Sequence, residues 1–407
     1  MVALIAANSA SSNSDYSGPS PVLRAAANAI AHGARVCRWV QPRLFAGGGS
    51  LRAERAEPSD TQGWKVIKAD ASPVTVADLA CQGVVNTELM NSGLIAGPMD
   101  RDAPGMLGEE SGSILTGADA GGTMDAVLAV LRGSGVMESI TGDGLLRAID
   151  AAKVAEYRRA APLPERYWTL DPIDGTKGFI KGRAYAVCLA LIERGQPTVC
   201  ALACPKLNPD RLADALEPHA MGCLVLAERL SRPGSAGRHD LDTFLWGPVW
   251  SVPFAADGSP DWDLADAQPA LPEVPSGAQP RWTEGLERSP RDVRVLDQVM
   301  RVVGGSRTIA MDSQAKYATV SRGQSDVYLR PAPRSWGMRV WDHAAGVGLC
   351  QASGRLATDL RGHPVEFSTG YALSGQGMLV APPGLQNRIL EALAGIPDAF
   401  AAEDWVP

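Results

Sequence analysis

Residues 167–176 of the chain read YWTLDPIDGT, an apolar run that breaks into a polar turn. The apolar half predicts a buried strand. Pro172 fixes φ and removes a backbone donor, so the strand is expected to end at Asp171. Asp171 and Asp174 can then point at one centre, with the Ile173 carbonyl between them. The run therefore predicts a cluster of oxygen ligands at a strand end.

Gly175 and Thr176 follow this cluster and are expected to open the next segment with free backbone N–H groups. Such groups at a helix N-terminus suit a phosphate. One short run would thus supply metal ligands and a phosphate cradle. Taken alone, the same letters fit an ordinary Asp/Pro/Gly turn equally well, because these residues dominate turns.

Two further acidic motifs stand elsewhere in the chain, GEES at 108–111 and WDHAAG at 341–346. Magnesium prefers hard oxygen ligands, usually a few carboxylates with water and substrate phosphate. Each motif also has a plain structural interpretation. Paired acids usually mark a solvated surface, and Asp342 suits a helix N-cap before Ala344. His343 is interpreted as orienting or structural.

Composition and charge exclude several classes of protein. The chain has 407 residues, 45% hydrophobic and 20% charged, which is typical of a globular protein of one large or two modest domains. The formal net charge of −7 argues against a nucleic-acid-coating protein, which needs a basic surplus. No apolar stretch approaches the roughly 20 residues of a membrane span. Seven cysteines along so long a chain do not indicate a disulfide scaffold.

Hydrophobic periodicity predicts interleaved helices and strands and therefore an α/β or α+β class. Helices are expected at 21–40, 76–92, 292–303, 341–349 and 389–393, a hairpin at 187–204 and a short strand at 327–329. Four regions are expected along the chain: a disordered leader at 1–17, an N-terminal α+β subdomain with the metal site at 18–230, an irregular insertion or linker at 231–290 and a C-terminal α/β substrate subdomain at 291–407.

The three acidic motifs, taken in order as GEES, LDPIDGTKGF at 170–179 and WDHAAG, resemble the metal-site motifs of the inositol-monophosphatase superfamily. A second set of motifs resembles the 3′(2′),5′-bisphosphate nucleotidases: SPVT before Ala77-Asp78, YAVCLALIERG, ALACPKL, MDSQAKYA at 311–318 and DVYLR at 326–330. The resemblance covers most of residues 20–230 and 290–395. It implies a layered α-β-α-β-α sandwich with the active site between two subdomains.

The resemblance also implies roles for individual residues. Two to three magnesium ions would be held by Glu109, Asp171, the Ile173 carbonyl, Asp174 and Asp342. The attacking water would be oriented and activated by Asp78 and Thr176, and the backbone N–H groups of Gly175 and Thr176 would face the scissile phosphate.

On the substrate side, Ser313 and Lys316 resemble residues that hold the adenosine phosphate portion, and Arg330 resembles an arginine at the nucleotide. Both cations lie near a metal motif in sequence, as a second phosphate would require. The chain departs from the family at Glu287-Arg288-Ser289, where many members carry histidine. The family's adenine contact at that point is left open, with Arg288 or Ser289 as candidates to replace it.

These features predict a magnesium-dependent phosphatase that removes the 3′-phosphate of 3′-phosphoadenosine 5′-phosphate, or of its 5′-phosphosulfate, leaving AMP or adenylyl sulfate. The resemblance implies inhibition by lithium and calcium. Two alternatives stay open: an inositol polyphosphate 1-phosphatase or other inositol-phosphate phosphatase, and a non-catalytic nucleotide-binding sensor. The expected partner is a small molecule, with no nucleic acid and no membrane. A monomer is expected, with a dimer left open. Cytoplasm and chloroplast or mitochondrion are left open for a soluble intracellular protein.

Overall fold

The computed structural model describes residues 18–46, 65–67, 73–95, 104–116, 120–151, 162–215, 219–231, 244–287, 290–331 and 337–396. The predicted leader at 1–17 lies outside these residues. No helix in the described ranges is both long enough and apolar enough to cross a membrane.

The helices are α1 (Pro21–Ala46), α2 (Val76–Asn91), α3 (Ala120–Gly133), α4 (Gly142–Asp150), α5 (Thr176–Ile180), α6 (Pro290–Val303), α7 (Ala315–Ser321), α8 (Ala344–Ala352) and α9 (Pro383–Ala394). Short 3₁₀ turns occur at Gly112–Leu115 and Trp262–Leu264. The helices predicted at 21–40, 76–92, 292–303 and 389–393 are confirmed. The helix predicted at 341–349 begins later, at Ala344, because Trp341 to His343 form a turn.

The strands are β1 (Lys65–Ile67), β2 (Pro73–Thr75), β3 (Gly105–Gly108), β4 (Arg166–Asp174), β5 (Ala186–Glu193), β6 (Gln196–Cys204), β7 (Cys223–Ser231), β8 (Phe244–Trp246), β9 (Val249–Pro253), β10 (Asp266–Gln268), β11 (Arg281–Glu284), β12 (Ser306–Ala310), β13 (Val327–Arg330), β14 (Leu356–Thr358) and β15 (Met378–Ala381). The predicted hairpin is confirmed as β5 and β6. Its turn places Arg194 at φ 50° and Gly195 at φ 73°.

Two sheets carry the fold. The eight-stranded sheet has the order β10-β9-β7-β6-β5-β4-β3, with β8 also paired to β7. It is antiparallel except where β3 runs parallel to β4. The five-stranded sheet has the order β12-β11-β13-β15-β14, and β11 is parallel to both of its neighbours. The pair of β1 and β2 forms a separate antiparallel ribbon.

The expectation that residues 231–290 are irregular is wrong for much of that segment. It contributes β8, β9 and β10 to the eight-stranded sheet and β11 to the five-stranded sheet. These strands are only three to five residues long. Strands this short carry little periodicity of their own, and pairing with neighbours such as β7 decides their conformation. The other expected domain limits stay a prediction.

Side chains that alternate along each strand separate the layers, because successive residues point to opposite faces of a sheet. In β5, Leu189 and Leu191 pack with α1 and α2, whereas Ala190 and Ile192 pack with α7 and α8. The five-stranded sheet meets the same central helices through Tyr328, Met378 and Val380, and packs its outer face on α6 and α9 through Leu329, Leu379 and Ala381. The layered α-β-α-β-α sandwich is therefore confirmed.

The central helices α7 and α8 approach each other closely at Gly346. A Cβ atom at this position would lie 2.3 Å from Cδ2 of Tyr317. We expect Gly346→Ala to lower the free energy of unfolding by about 1–3 kcal/mol, because overpacking outweighs alanine's better helix propensity. The matched control is Gly122→Ala in α3, where nothing lies within 4 Å of the added Cβ. That change should leave stability unchanged or raise it by up to about 1 kcal/mol in urea titrations. Equal effects of the two changes would contradict the packing argument.

Candidate active site

A cavity of about 450 Å³ lies where segments from both sheets meet. Its size is within the range of small-molecule sites. All of the predicted site residues line it except Asp171 and Ile173: Asp78, Glu109, Asp174, Gly175, Thr176, Ser313, Lys316, Arg330 and Asp342. Asp171 and Ile173 are buried, with exposed fractions of 2% and 1%. The motifs that stand far apart in sequence thus face one cavity.

The DPIDGT run forms the floor of this cavity. Contrary to expectation, β4 does not end at Asp171; it continues to Asp174 across a bulge in its pairing with β5. Pro172 lacks the N–H that a regular ladder would use, which accounts for the bulge. The Asp171 carboxylate Oδ1 accepts from the Ile173 N–H at 3.0 Å. The bulge thereby lets strand pairing continue while the run turns its carboxylates toward one region.

Gly175 follows with φ 86° and leads into α5. A Cβ there would lie 2.9 Å from Cβ of Ser313. Ser313 itself has φ 71°, a left-handed conformation that is uncommon outside glycine. Two left-handed residues from different motifs therefore abut, which brings the predicted phosphate cradle against the predicted nucleotide segment.

The carboxylates around the floor repel one another. Burial raises the pKa of Asp171 well above its usual range, and the charges of Glu109, Asp174 and Asp342 raise it further. The pKa of Asp342 is raised to about 7 by burial first, and then by Asp174 and Glu109. Desolvation and like charges both disfavour the ionised form. Neutralisation, by protons or by a cation, would therefore be favourable at this end of the cavity.

The donor set at this end fits magnesium, because it consists of carboxylate and carbonyl oxygens. The Ile173 carbonyl accepts from the Thr176 hydroxyl at 3.1 Å and keeps a second lone pair. Within the described ranges, no three carboxylate, imidazole or thiol groups lie close enough to form a preassembled metal cluster. A cation between these carboxylates would offset their mutual repulsion.

Gln314 is a site residue that sequence reasoning missed. Its backbone N–H donates to Oδ2 of Asp174, its Nε2 donates to the Trp341 carbonyl at 2.8 Å, and its Oε1 accepts from the Gly346 N–H at 3.1 Å. One buried glutamine thus joins the second and third acidic motifs. The available signal was its place between Ser313 and Lys316 in the MDSQAKYA motif.

Helix α2 fixes the first and second motifs from the other side. Asp78 lines the cavity. One turn later, the Cys81 thiol donates to the Pro172 carbonyl at 3.3 Å. Gln82 exchanges two hydrogen bonds with the backbone of Glu110, at 2.8 and 3.0 Å. Positions 78, 81 and 82 share one helix face, so α2 holds Asp78 in register with the acidic loops.

Two cations also line the cavity. Lys316 donates from Nζ to the Ser313 carbonyl at 2.6 Å, so its ammonium is held just before α7. Burial lowers its pKa to about 8, although the charge of Asp174 acts in the opposite direction. Arg330 lines the cavity as well, and its charge acts on Asp174 and Asp342. The cavity therefore brings two cations close to its carboxylates.

The third motif does not cap helix α8. Helix α8 begins after His343, and no side chain caps it, so Asp342 is not an N-cap. His343 is fully buried, with Nδ1 2.6 Å from the Tyr317 hydroxyl. Burial and the charges of Arg330 and Lys316 lower its pKa well below the usual range. A neutral, enclosed imidazole agrees with a structural role.

Comparisons with known proteins identify the family of the chain. Curated relatives include the 3′(2′),5′-bisphosphate nucleotidases of Schizosaccharomyces pombe, 29% identical over 81% of this chain and 86% of the relative, and of Emericella nidulans, 30% identical over 81% and 89%. The structure of CysQ from Bacteroides thetaiotaomicron, a bacterial member of the inositol monophosphatase family, superposes with a TM-score of 0.50 at 17% identity, covering 89% of this chain and 97% of that chain. At that identity, the likeness shows the fold alone. Residues 138–397 match the inositol monophosphatase family, and the chain belongs to that family.

Proposed function

We propose that this protein is a magnesium-dependent phosphatase that hydrolyses the 3′-phosphate of adenosine 3′,5′-bisphosphate to give AMP and phosphate. The sulfated analogue, 3′-phosphoadenosine 5′-phosphosulfate, carries the same 3′ end and is expected to be accepted. One observation carries the proposal: a single cavity joins a cluster of carboxylates to Lys316 and Arg330. A molecule with two separate anionic groups could meet both the metal ions that the carboxylates would hold and these two cations. The names of the relatives support the nucleotide as that molecule.

The carboxylate end would hold two to three magnesium ions through Glu109, Asp171, the Ile173 carbonyl, Asp174 and Asp342. When bound, magnesium would supply acidification of water and stabilisation of the leaving oxygen. The Thr176 hydroxyl would accept the proton of the attacking water and pass its own proton to the Asp78 carboxylate; both residues line the cavity. The N–H groups of Gly175 and Thr176 would bind oxygens of the scissile phosphate.

The two cations would bind the rest of the nucleotide. Lys316 and Ser313 would contact the phosphate that is not cleaved, and Arg330 can grip it with its guanidinium fork. Lys316 is charged below its pKa of about 8, so it is a cation at neutral pH. Bound phosphate would favour that charged form further. This half of the proposal distinguishes the nucleotidase from a phosphatase that acts on a smaller monoester.

A panel of phosphate esters tests the proposal. With magnesium present, kcat/KM is expected to be at least about tenfold higher for adenosine 3′,5′-bisphosphate than for inositol 1,4-bisphosphate. The second phosphate of the inositol ester stands elsewhere relative to the scissile one, and the loss of one charge-assisted contact costs about that much. AMP, the product, should release no phosphate, and chelation of magnesium should abolish turnover of every ester. Faster turnover of the inositol ester would instead identify an inositol-phosphate phosphatase. Nucleotide binding without turnover in magnesium would identify a sensor.

A further inference from the structure

An ion-pair cluster lies at the rim of the catalytic cavity. Lys181 Nζ and an Nη of Arg183 each lie 2.7 Å from the same carboxylate oxygen of Glu287. The Nε of Arg183 lies 2.8 Å from Oδ2 of Asp312. One guanidinium therefore contacts two carboxylates, which a lysine ammonium cannot do in the same planar geometry.

The cluster joins segments from the two sheets. Lys181 and Arg183 follow α5, the helix that begins at the predicted phosphate cradle, and precede β5 of the eight-stranded sheet. Glu287 follows β11 of the five-stranded sheet. Asp312 directly precedes Ser313, the left-handed residue that abuts Gly175. The two carboxylates thus belong to a wall of the cavity that the segments after β11 and β12 form.

Arg183 stands behind this wall and does not reach the reacting groups. It lines a second cavity of about 310 Å³, whereas Glu287 and Asp312 line the catalytic one. The wall between them includes Leu286 and Met311. An effect of Arg183 on substrate binding must therefore be transmitted through the two carboxylates.

The local fold accommodates this contact. A Cβ at Gly178 would lie 2.5 Å from Oδ2 of Asp312, so glycine lets α5 approach that carboxylate. Asp312 is only 6% exposed. Hydrogen bonds from Lys181 and Arg183 lower the pKa of Glu287 to about 2, so this carboxylate stays charged over the working range of pH. The pair of Glu287 with Lys181 and Arg183 is therefore a charged link between the segment after α5 and the segment after β11.

We propose that Arg183 is a positioning residue for the nucleotide: through Glu287 and Asp312, it holds the loop after β11 and the segment of Ser313 in the arrangement that binds the part of the substrate beyond the scissile phosphate. This inference rests on the proposed nucleotidase function. It assigns a role in recognition to a residue that lies outside the catalytic cavity.

The link should be sensitive to salt. Arg183 is 32% exposed and Glu287 is 45% exposed, so solvent screens their interaction. Exposed ion pairs are individually weak, and the Debye length falls from about 10 Å at 0.1 M salt to about 3 Å at 1 M. Positioning by Arg183 should therefore matter most at low ionic strength.

The test compares Arg183→Ala with the wild type in magnesium. We expect KM for adenosine 3′,5′-bisphosphate to rise about three- to tenfold at low salt, with kcat within about twofold. The inhibition constant of AMP should rise by the same factor, and that of inorganic phosphate should not, because phosphate alone needs only the metal end. Both increases should shrink at 1 M salt. Arg183→Lys should restore part of the affinity, and Glu287→Gln should raise KM in the same direction.

The matched control is Arg211→Ala, which removes a surface arginine paired with Asp266 at 2.9 Å, away from both cavities. Its kinetic constants should equal those of the wild type. An unchanged KM in both Arg183→Ala and Glu287→Gln would overturn the inference while leaving the proposed function intact. Equal rises in the inhibition constants of AMP and phosphate would also overturn it, since they would indicate general damage to the site. A wild type that does not turn over the nucleotide would remove the proposed function and this inference together.

Discussion

Replacing Asp174 with asparagine is expected to lower kcat/KM for adenosine 3′,5′-bisphosphate by about 10³-fold. Asp174 lines the cavity, and its charge raises the pKa of both Asp171 and Asp342. It is therefore central to the group that would bind magnesium. Metal-dependent stabilisation of the transition state is worth several kcal/mol, and each 1.36 kcal/mol corresponds to about tenfold in rate.

The fold should tolerate this change. Asparagine keeps an oxygen that can accept from the Gln314 N–H, the contact that Asp174 makes. Loss of the charge also relieves repulsion among the neighbouring carboxylates. The melting temperature without magnesium should therefore equal or exceed that of the wild type. Magnesium should raise the melting temperature of the wild type, because it binds the folded state, and should do so less in the variant.

Asp326→Asn is the matched control for Asp174→Asn. Asp326 is also a buried carboxylate, but it pairs with Arg281 at 3.0 Å and does not line the cavity. This change should lower stability and leave both kcat and the response to magnesium unaltered. Phosphate release by Asp174→Asn within tenfold of wild type at saturating magnesium would show that the metal site has been assigned wrongly.

Sequence alone predicts many of the residues that line the cavity, because several of them are close together along the chain. Asp171, Asp174 and Thr176 lie in one short run, so their proximity follows from chain geometry. The long apolar runs of β5 and β6 are equally local signals, and the hairpin was predicted within one residue of its bounds. Features of this kind need no knowledge of tertiary packing.

The features that sequence reasoning missed depend on contacts between distant segments. The short strands between residues 244 and 284 depend on their pairing partners: β8 and β9 pair with β7, β10 pairs with β9, and β11 pairs within the five-stranded sheet. Gln82 and Gln314 carry no chemistry that marks them in a sequence, and their roles appear only once three motifs converge. Arg183 and Glu287 lie more than 100 residues apart, and a charge pattern along the chain does not reveal such pairs.

Gln314→Leu is expected to lower the free energy of unfolding by about 2–5 kcal/mol. Leucine is of similar size, but it would remove the side-chain partner of the Trp341 carbonyl and of the Gly346 N–H. Gln314 is only 2% exposed, so water cannot readily replace these hydrogen bonds. An unsatisfied buried polar group costs about 1–3 kcal/mol, and this change creates two. Gln386→Leu is the matched control. Gln386, in α9, is equally buried, and its side chain donates one hydrogen bond, to the Thr358 hydroxyl at 2.7 Å. It should destabilise the protein by a smaller amount.

The same substitution should also weaken the metal site. The Gln314 side chain binds the two backbone positions that flank Asp342, so its loss frees the segment that carries this carboxylate. Residues that support metal ligands typically contribute about 10- to 100-fold in metal affinity or activity. We therefore expect the magnesium concentration for half-maximal phosphate release to rise by about that factor in Gln314→Leu and to stay unchanged in Gln386→Leu. If Gln314→Leu loses stability but keeps the wild-type magnesium dependence, Gln314 supports the packing of α8 and does not position Asp342 for metal.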